Sequence, residues 1–242
     1  MDFIVRCAKI FWIYLWAVIM TLILFVPMIV ASLLNSTGNL AFSMSKIWAR
    51  VMLLITATRV EIKGREKIEK GRSYVIISNH QSVFDILAIV TSLGIQYRWT
   101  IKIEALKIPL FGHALYASRN IFIDRSNTER ARESIRKGLD RLPAGASVMF
   151  FAEGTRSADG KLREFKKGGF VVALERSYPI LPITVNGSMY VLPKGSIVFR
   201  PGRITVTVGE PIDTHGYTQE TMDKLMAKTR EVIQSNLVLE NN

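Results

Sequence analysis

The sequence predicts an α/β protein: a mixed, largely parallel sheet covered by helices, preceded by an N-terminal membrane-embedded helical hairpin. Three observations carry this reading. Beyond Arg59, short β-rich runs alternate with helical ones, the pattern of a sheet covered on both faces. Residues 10–45 contain no charged side chain. That apolar stretch is interrupted by NSTGN at 35–39, a turn signal.

The first apolar run, IFWIYLWAVIMTLILFVPMIVASLL (10–34), would be about 37 Å long as a helix, against a hydrocarbon core of about 30 Å. It is too long for the apolar region of a signal peptide, and no A-x-A site closes it. Pro27 is a candidate kink. Residues 40–58 form a second run, amphipathic at helical spacing, that carries Lys46 and Arg50. Basic residues therefore flank both ends: Arg6 and Lys9 before, and Lys46, Arg50 and Arg59 after. A single span would set one group against the positive-inside rule, whereas a hairpin entering one leaflet keeps both on the cytoplasmic side. The expected division is a two-helix anchor over 1–58 and an α/β domain over 59–242.

In that domain the expected strands are 59–64, 73–78, 97–102, 120–124, 147–152, 179–185 and 203–209. The expected helices are 82–93, 127–142, 166–176 and 218–236. Sheets of this kind gather ligands at the carboxyl ends of their strands. Thirty-two basic against 20 acidic residues give a net charge of +12, a field that attracts phosphates. Beside an apolar hairpin this favours anionic phospholipid headgroups. Nucleic acid is not expected, because no fold motif for it is present. The single Cys7 excludes an internal disulfide.

SNHQSVFD (78–85) follows the apolar run SYVIIS. Ser82 and Asp85 fit a capping box, with Ser82 as N-cap and Asp85 at the third helical position. On that plainer reading Asp85 serves the helix end and His80 is a polar loop residue. Five residues apart on a regular helix, the two side chains would not meet. With His80 still in the loop, the imidazole can fold back over the first turn, one ring nitrogen bonded to the carboxylate and the other left as an acceptor. That is a base and its orienting group without an enzyme nucleophile. No G-x-S-x-G elbow is present. The substrate would then supply the nucleophile, a hydroxyl.

At these residues the chain resembles the glycerolipid acyltransferases. NHQSVFD matches their N-H-x(4)-D block, IFIDR (121–125) the second, and FAEGTRS (151–157) the F-P-E-G-T-R-S block, with Ala152 for the usual proline. LPI (181–183) matches the fourth, and KIEALKIPLFG (102–112) the lysine-containing segment between the first two. The blocks fall in order, and the resemblance is greatest to bacterial 1-acyl-glycerol-3-phosphate acyltransferases.

The resemblance implies a glycerolphosphate-acyltransferase-like fold and transfer of an acyl group from a thioester to the sn-2 hydroxyl of lysophosphatidic acid, giving phosphatidic acid. It casts His80 as general base and Asp85 as its orienter, with no acyl-enzyme. Arg125, Arg156 and Lys102 would meet the acceptor phosphate, the arginines as planar forks. Glu153 would orient Arg156 or bind the glycerol, and Gly154 and Thr155 would form a tight turn presenting amides. Asn79, Ser82 and Pro182 would support the site. The plainer alternatives are surface ion pairs: Arg125 with Asp124 or Glu129, and Lys102 with Glu104.

No metal or cofactor is expected beyond the co-substrate, an acyl carrier protein or coenzyme A thioester. The expected location is the cytoplasmic membrane, with the catalytic domain on its cytoplasmic side. Two competitors stand beside this reading: acyl transfer to glycerol 3-phosphate or another lysolipid, and a non-catalytic membrane adaptor. GTRSADGK (154–161) fails the P-loop pattern on spacing, and Leu162 stands where the hydroxyl residue is required.

Overall fold

The computed structural model describes residues 3–238. Two helices open the chain, α1 (Phe3–Leu34) and α2 (Asn39–Ile55). Gly38, at φ 71°, turns the chain between them, a conformation that glycine adopts without strain. Helix α1 runs continuously through Pro27. The domain follows as β1 (Thr58–Lys63), β2 (Val75–Ser78), α3 (Phe84–Ser92), β3 (Tyr97–Lys102), α4 (Phe111–Ala117), β4 (Ile121–Ile123) and α5 (Thr128–Leu139). It continues with β5 (Ser147–Phe151), α6 (Gly168–Arg176), β6 (Ile180–Asn186), α7 (Ser188–Val191), β7 (Gly202–Val208) and α8 (Met222–Ser235).

The seven strands form one sheet in the order β1-β7-β6-β2-β5-β3-β4. Every neighbouring pair is parallel except β6 and β7. The fold is therefore the expected mixed, largely parallel α/β sheet. β2 lies between β5 and β6 and is wholly buried, which explains its unbroken apolar sequence. Its side chains alternate between faces. Ile76 joins a core with α2, α3 and Val191 of α7, while Val75 and Ile77 join a second core with α6, α8 and Leu139 of α5.

A third, smaller core joins the hairpin to the domain: Met20, Leu24 and Met28 of α1 and Ala41 of α2 pack with Ala114 and Ala117 of α4. The hairpin turn is also bolted down by a buried arginine. Arg98 donates from Nη2 to Thr37 O (2.8 Å) and Asn39 Oδ1 (2.5 Å), and from Nη1 to Tyr97 O (2.8 Å). Burial pulls the Arg98 guanidinium down to about 10. The outward face of α1 stays apolar and exposed, with Phe11, Val18, Leu22, Val26 and Leu33 among its residues.

Candidate active site

β2 delivers the chain into the 79–83 loop at the carboxyl end of the sheet. Asn79 fixes that exit: its Nδ2 donates to Val185 O and its Oδ1 accepts from Val185 N, both at 2.8 Å. The loop is thereby tied to β6. Three residues of the loop then converge on one carboxylate oxygen. Asp85 Oδ2 lies 2.7 Å from His80 Nδ1 and accepts from the amides of Gln81 (2.6 Å) and Ser82 (2.9 Å). Asp85 is wholly buried, and its Oδ1 has no hydrogen-bond partner among the described residues. A carboxylate can only accept, so Nδ1 carries the ring proton and Nε2 is left as the acceptor. The His80 ring lies flat on Phe151, with centroids 3.7 Å apart and 10° between planes, and Phe151 in turn stacks on Trp99.

The expected capping box is present in its side-chain bonds, one residue ahead of the assigned helix start. Helix α3 begins at Phe84, with Val83 as its N-cap. The Asp85 carboxylate reaches back to the Ser82 amide (2.9 Å), as the third residue of a capping box does, and takes the Gln81 amide as well. Ser82 Oγ accepts from Phe84 N (3.2 Å) and donates to Leu192 O (2.7 Å).

Glu153 is placed differently from the expectation. It is 2% exposed, and both oxygens are bonded to backbone: Oε1 accepts from His80 N and Oε2 from Arg163 N, each at 3.0 Å. Held this way it braces the His80 backbone, and it makes no ion pair with Arg156 among the described residues. Burial raises its carboxyl above the usual range, against the pull of the two amide hydrogen bonds.

A cavity of about 330 Å³ opens beside His80. Its lining includes His80, Lys102, Arg125 and Gly154, with mostly apolar side chains from α1, α2, α3 and α4 making up much of the rest. Arg125 donates to Gly154 O (2.9 Å) and forms no ion pair with Asp124 or Glu129; Asp124 faces Arg130 at 3.7 Å. Lys102 lines the same cavity while paired with Glu104 at 3.4 Å, the plainer of its two alternatives. Gly154 sits at φ 70°, in a turn closed by its amide on Phe151 O. Thr155 is exposed. Arg156 is half-buried and outside the cavity lining, and its carbonyl accepts from Lys194 Nζ (2.8 Å). Pro182 lies in β6 opposite Ile77 of β2, away from the cavity.

Three contributors went unnoticed in the sequence. Phe151 and Trp99 form the floor under His80; Phe151 opens the FAEGTRS block, so its position was on view. Lys194 reaches the same loop from 38 residues away, and no local pattern announces it.

Residues 59–186 match the acyltransferase family model. The chain is 33% identical over 170 residues to a chloroplastic 1-acyl-sn-glycerol-3-phosphate acyltransferase of Brassica napus, covering 69% of this chain and 49% of that one. It is 33% identical over 174 residues to the 1-acyl-sn-glycerol-3-phosphate acyltransferase of Pseudomonas aeruginosa, covering 70% and 66%. The chain thus spans about half the length of the plant relative. Among solved structures, the 1-acyl-sn-glycerophosphate acyltransferase PlsC of Thermotoga maritima superposes with a TM-score of 0.84 at 25% identity, covering 98% of this chain and 96% of that one. The His–Asp pair and its cavity fall within a match that takes in more than half the residues, and on that ground this chain belongs to the acyltransferase family.

Proposed function

We propose that this chain transfers a fatty acyl group from a thioester to the sn-2 hydroxyl of 1-acyl-glycerol-3-phosphate, giving phosphatidic acid. The observation that carries the reading is the 2.7 Å contact of His80 Nδ1 with buried Asp85, where His80 lines a mostly apolar cavity together with Lys102 and Arg125. The names of the chloroplast and Pseudomonas relatives supply the acceptor class.

His80 Nε2 accepts the proton of the acceptor hydroxyl while Asp85 stabilises the imidazolium. The hydroxyl oxygen bonds to the thioester carbonyl carbon, the tetrahedral adduct collapses, and the C–S bond breaks. The leaving thiolate takes the proton from Nε2. No acyl-enzyme forms. Donors for the oxyanion lie outside the 80–82 stretch, whose three amides are already bonded. Arg125 leaves the Gly154 carbonyl, and Lys102 leaves Glu104, to meet the acceptor phosphate; the thioester's chain lies along the apolar part of the cavity. The thiol carrier is an acyl carrier protein or coenzyme A.

Residues 1–58 act as the anchor of the 59–242 catalytic domain. Helix α1 lies in one leaflet of the cytoplasmic membrane and does not cross it. Its inner face packs on the protein from Ile13 to Ala31, about 28 Å of helix. Hydrocarbon is about 30 Å thick, so a crossing would draw the domain's polar loops into it.

The test is an assay of the full chain in micelles with an acyl thioester and 1-acyl-glycerol-3-phosphate. His80→Ala should lower kcat by about 10²–10⁴ while vesicle binding stays unchanged. Equal turnover in the parent and the variant would sink the mechanism. No turnover in the parent would leave the adaptor reading.

A further inference from the structure

Three cations on the far side of α2 are not used by the chemistry above. Lys46 and Arg50 lie one turn apart on α2, and Arg65 begins the short 3₁₀ turn after β1. Among the described residues none of the three is ion-paired with a carboxylate. They repel one another: burial first, then Arg50 and Arg65, lowers the Lys46 ammonium below its usual value. Like charges at i,i+4 on a helix are unfavourable unless an anion joins them.

The surroundings say what kind of anion. Arg50 and Arg65 line a pocket of about 380 Å³ with Thr58, Thr91, Leu53 and Leu54 among its other walls. It shares no residue with the catalytic cavity. The Arg65 guanidinium rests against Gly94, just beyond the end of α3, where an added Cβ would fall 2.1 Å from Nη2. Glycine is therefore required for the arginine to sit there. On α2, Arg50 stands between Ile47 and Leu54, both exposed, at i−3 and i+4 on one helical face. A cation set within an exposed apolar stripe belongs at the boundary of hydrocarbon and headgroup, where its stem is buried and its charge meets phosphate.

We infer that the pocket between α2, β1 and the end of α3 seats the headgroup phosphate of an anionic phospholipid of the leaflet. Arg50 and Arg65 hold the phosphate, Lys46 stands at its edge, and the lipid's chains follow Leu54 and Ile47. This rests on the reading that α1 and α2 lie in a leaflet. A soluble phosphate would gain nothing from the apolar rim, which is why the lipid is the favoured source.

The test uses the full chain and vesicles of phosphatidylcholine, with or without one-quarter phosphatidylglycerol. Arg50→Gln/Arg65→Gln is compared with Lys224→Gln/Lys228→Gln, which removes equal charge from the exposed face of α8. The first pair should lose about tenfold or more of the affinity that phosphatidylglycerol adds, and the control less than about threefold. All should bind pure phosphatidylcholine alike. Equal losses in the two pairs would mean diffuse attraction and overturn the site. Arg50→Lys/Arg65→Lys keeps the charge and should retain most binding; if it partitions as poorly as the glutamine pair, the assignment falls. Inorganic phosphate that raises Tm in the parent but not in the glutamine pair, with vesicle partition the same in both, would assign the pocket to a soluble anion and also overturn it. Acyl transfer in micelles, followed in parallel, should be the same in all these variants, so failure of this site and failure of the proposed activity read out separately.

Discussion

Replacing Asp85 by asparagine separates two jobs that the carboxylate performs at once. Its Oδ2 takes three hydrogen bonds, from His80 Nδ1 and the amides of Gln81 and Ser82, and its Oδ1 takes none among the described residues. An asparagine has one carbonyl oxygen. It must occupy the Oδ2 place, because the amide NH₂ there would face two backbone N–H donors. The oxygen then still accepts from Nδ1–H, so the tautomer that leaves Nε2 free is kept. Only the charge is lost.

That charge matters when the imidazolium forms. Two unit charges about 4 Å apart at an effective dielectric of about 20 interact by about 4 kcal/mol, an upper limit. The lower limit is the gain of a charged over a neutral hydrogen bond, about 1–2 kcal/mol. Asp85→Asn should therefore lower kcat between about tenfold and about 10³-fold, at about 1.4 kcal/mol per decade. Asp85→Ala removes orientation as well and strands two buried amides, at about 1–3 kcal/mol each. It should fall at least about tenfold below the asparagine variant and melt earlier. Initial rates across both substrate concentrations, with thermal melts, decide the matter. Asparagine as damaging as alanine would mean that the amide sits reversed, and full activity in Asp85→Asn would mean that no imidazolium forms beside it.

The hairpin lock gives a second expectation. Arg98→Met leaves the carbonyls of Thr37 and Tyr97 and the Asn39 Oδ1 without this donor; at about 1 kcal/mol or more for each stranded acceptor the loss is about 3 kcal/mol, or about 6–12 °C of Tm in a chain of this size, with new protease cleavage near residues 35–38. A third concerns acid. Burial raises Glu153 from 4.5 in the folded state, so its contribution to stability is full below 4.5 and is lost as pH rises through the higher folded value. Glu153→Gln should flatten that part of the profile of denaturant midpoint against pH, and a parent profile rising with pH there, unchanged by the substitution, would contradict the sign.

The strands were legible because parallel strands buried on both faces read as continuous apolar runs, as Val75–Ser78 does. The His80–Asp85 pair was legible because only a loop could bring residues five apart together. The same stretch gave the helix start to within one residue. A Ser-x-x-Asp pattern fits a capping box, and the carboxylate does turn back to the Ser82 amide; that it also takes the Gln81 amide and His80 Nδ1 is what the box alone does not announce. Helices α4 and α7, of seven and four residues, are too short for a periodic signal. Its sequence neighbours point Glu153 to Arg156 or a glycerol, because its observed partners, the amides of His80 and Arg163, are specified by the fold and not by neighbours in sequence.

The hairpin marks where composition and function part. Composition changes sharply near residue 58, and that change suggests an anchor followed by an enzyme. The cavity ignores the boundary. Thr21, Leu24 and Met28 of α1 and Trp48 and Ala49 of α2 form one wall of it, facing His80 and Phe151. Arg98, at the start of β3, holds the turn between those helices in place through contacts about sixty residues distant in sequence. An anchor needs only an apolar exterior, and α1 supplies that on its outward face. Fixing the hairpin by a buried arginine, at the desolvation cost such a charge carries, is explained by the wall. If the helices drifted, the apolar part of the cavity would open to water or lipid beside His80.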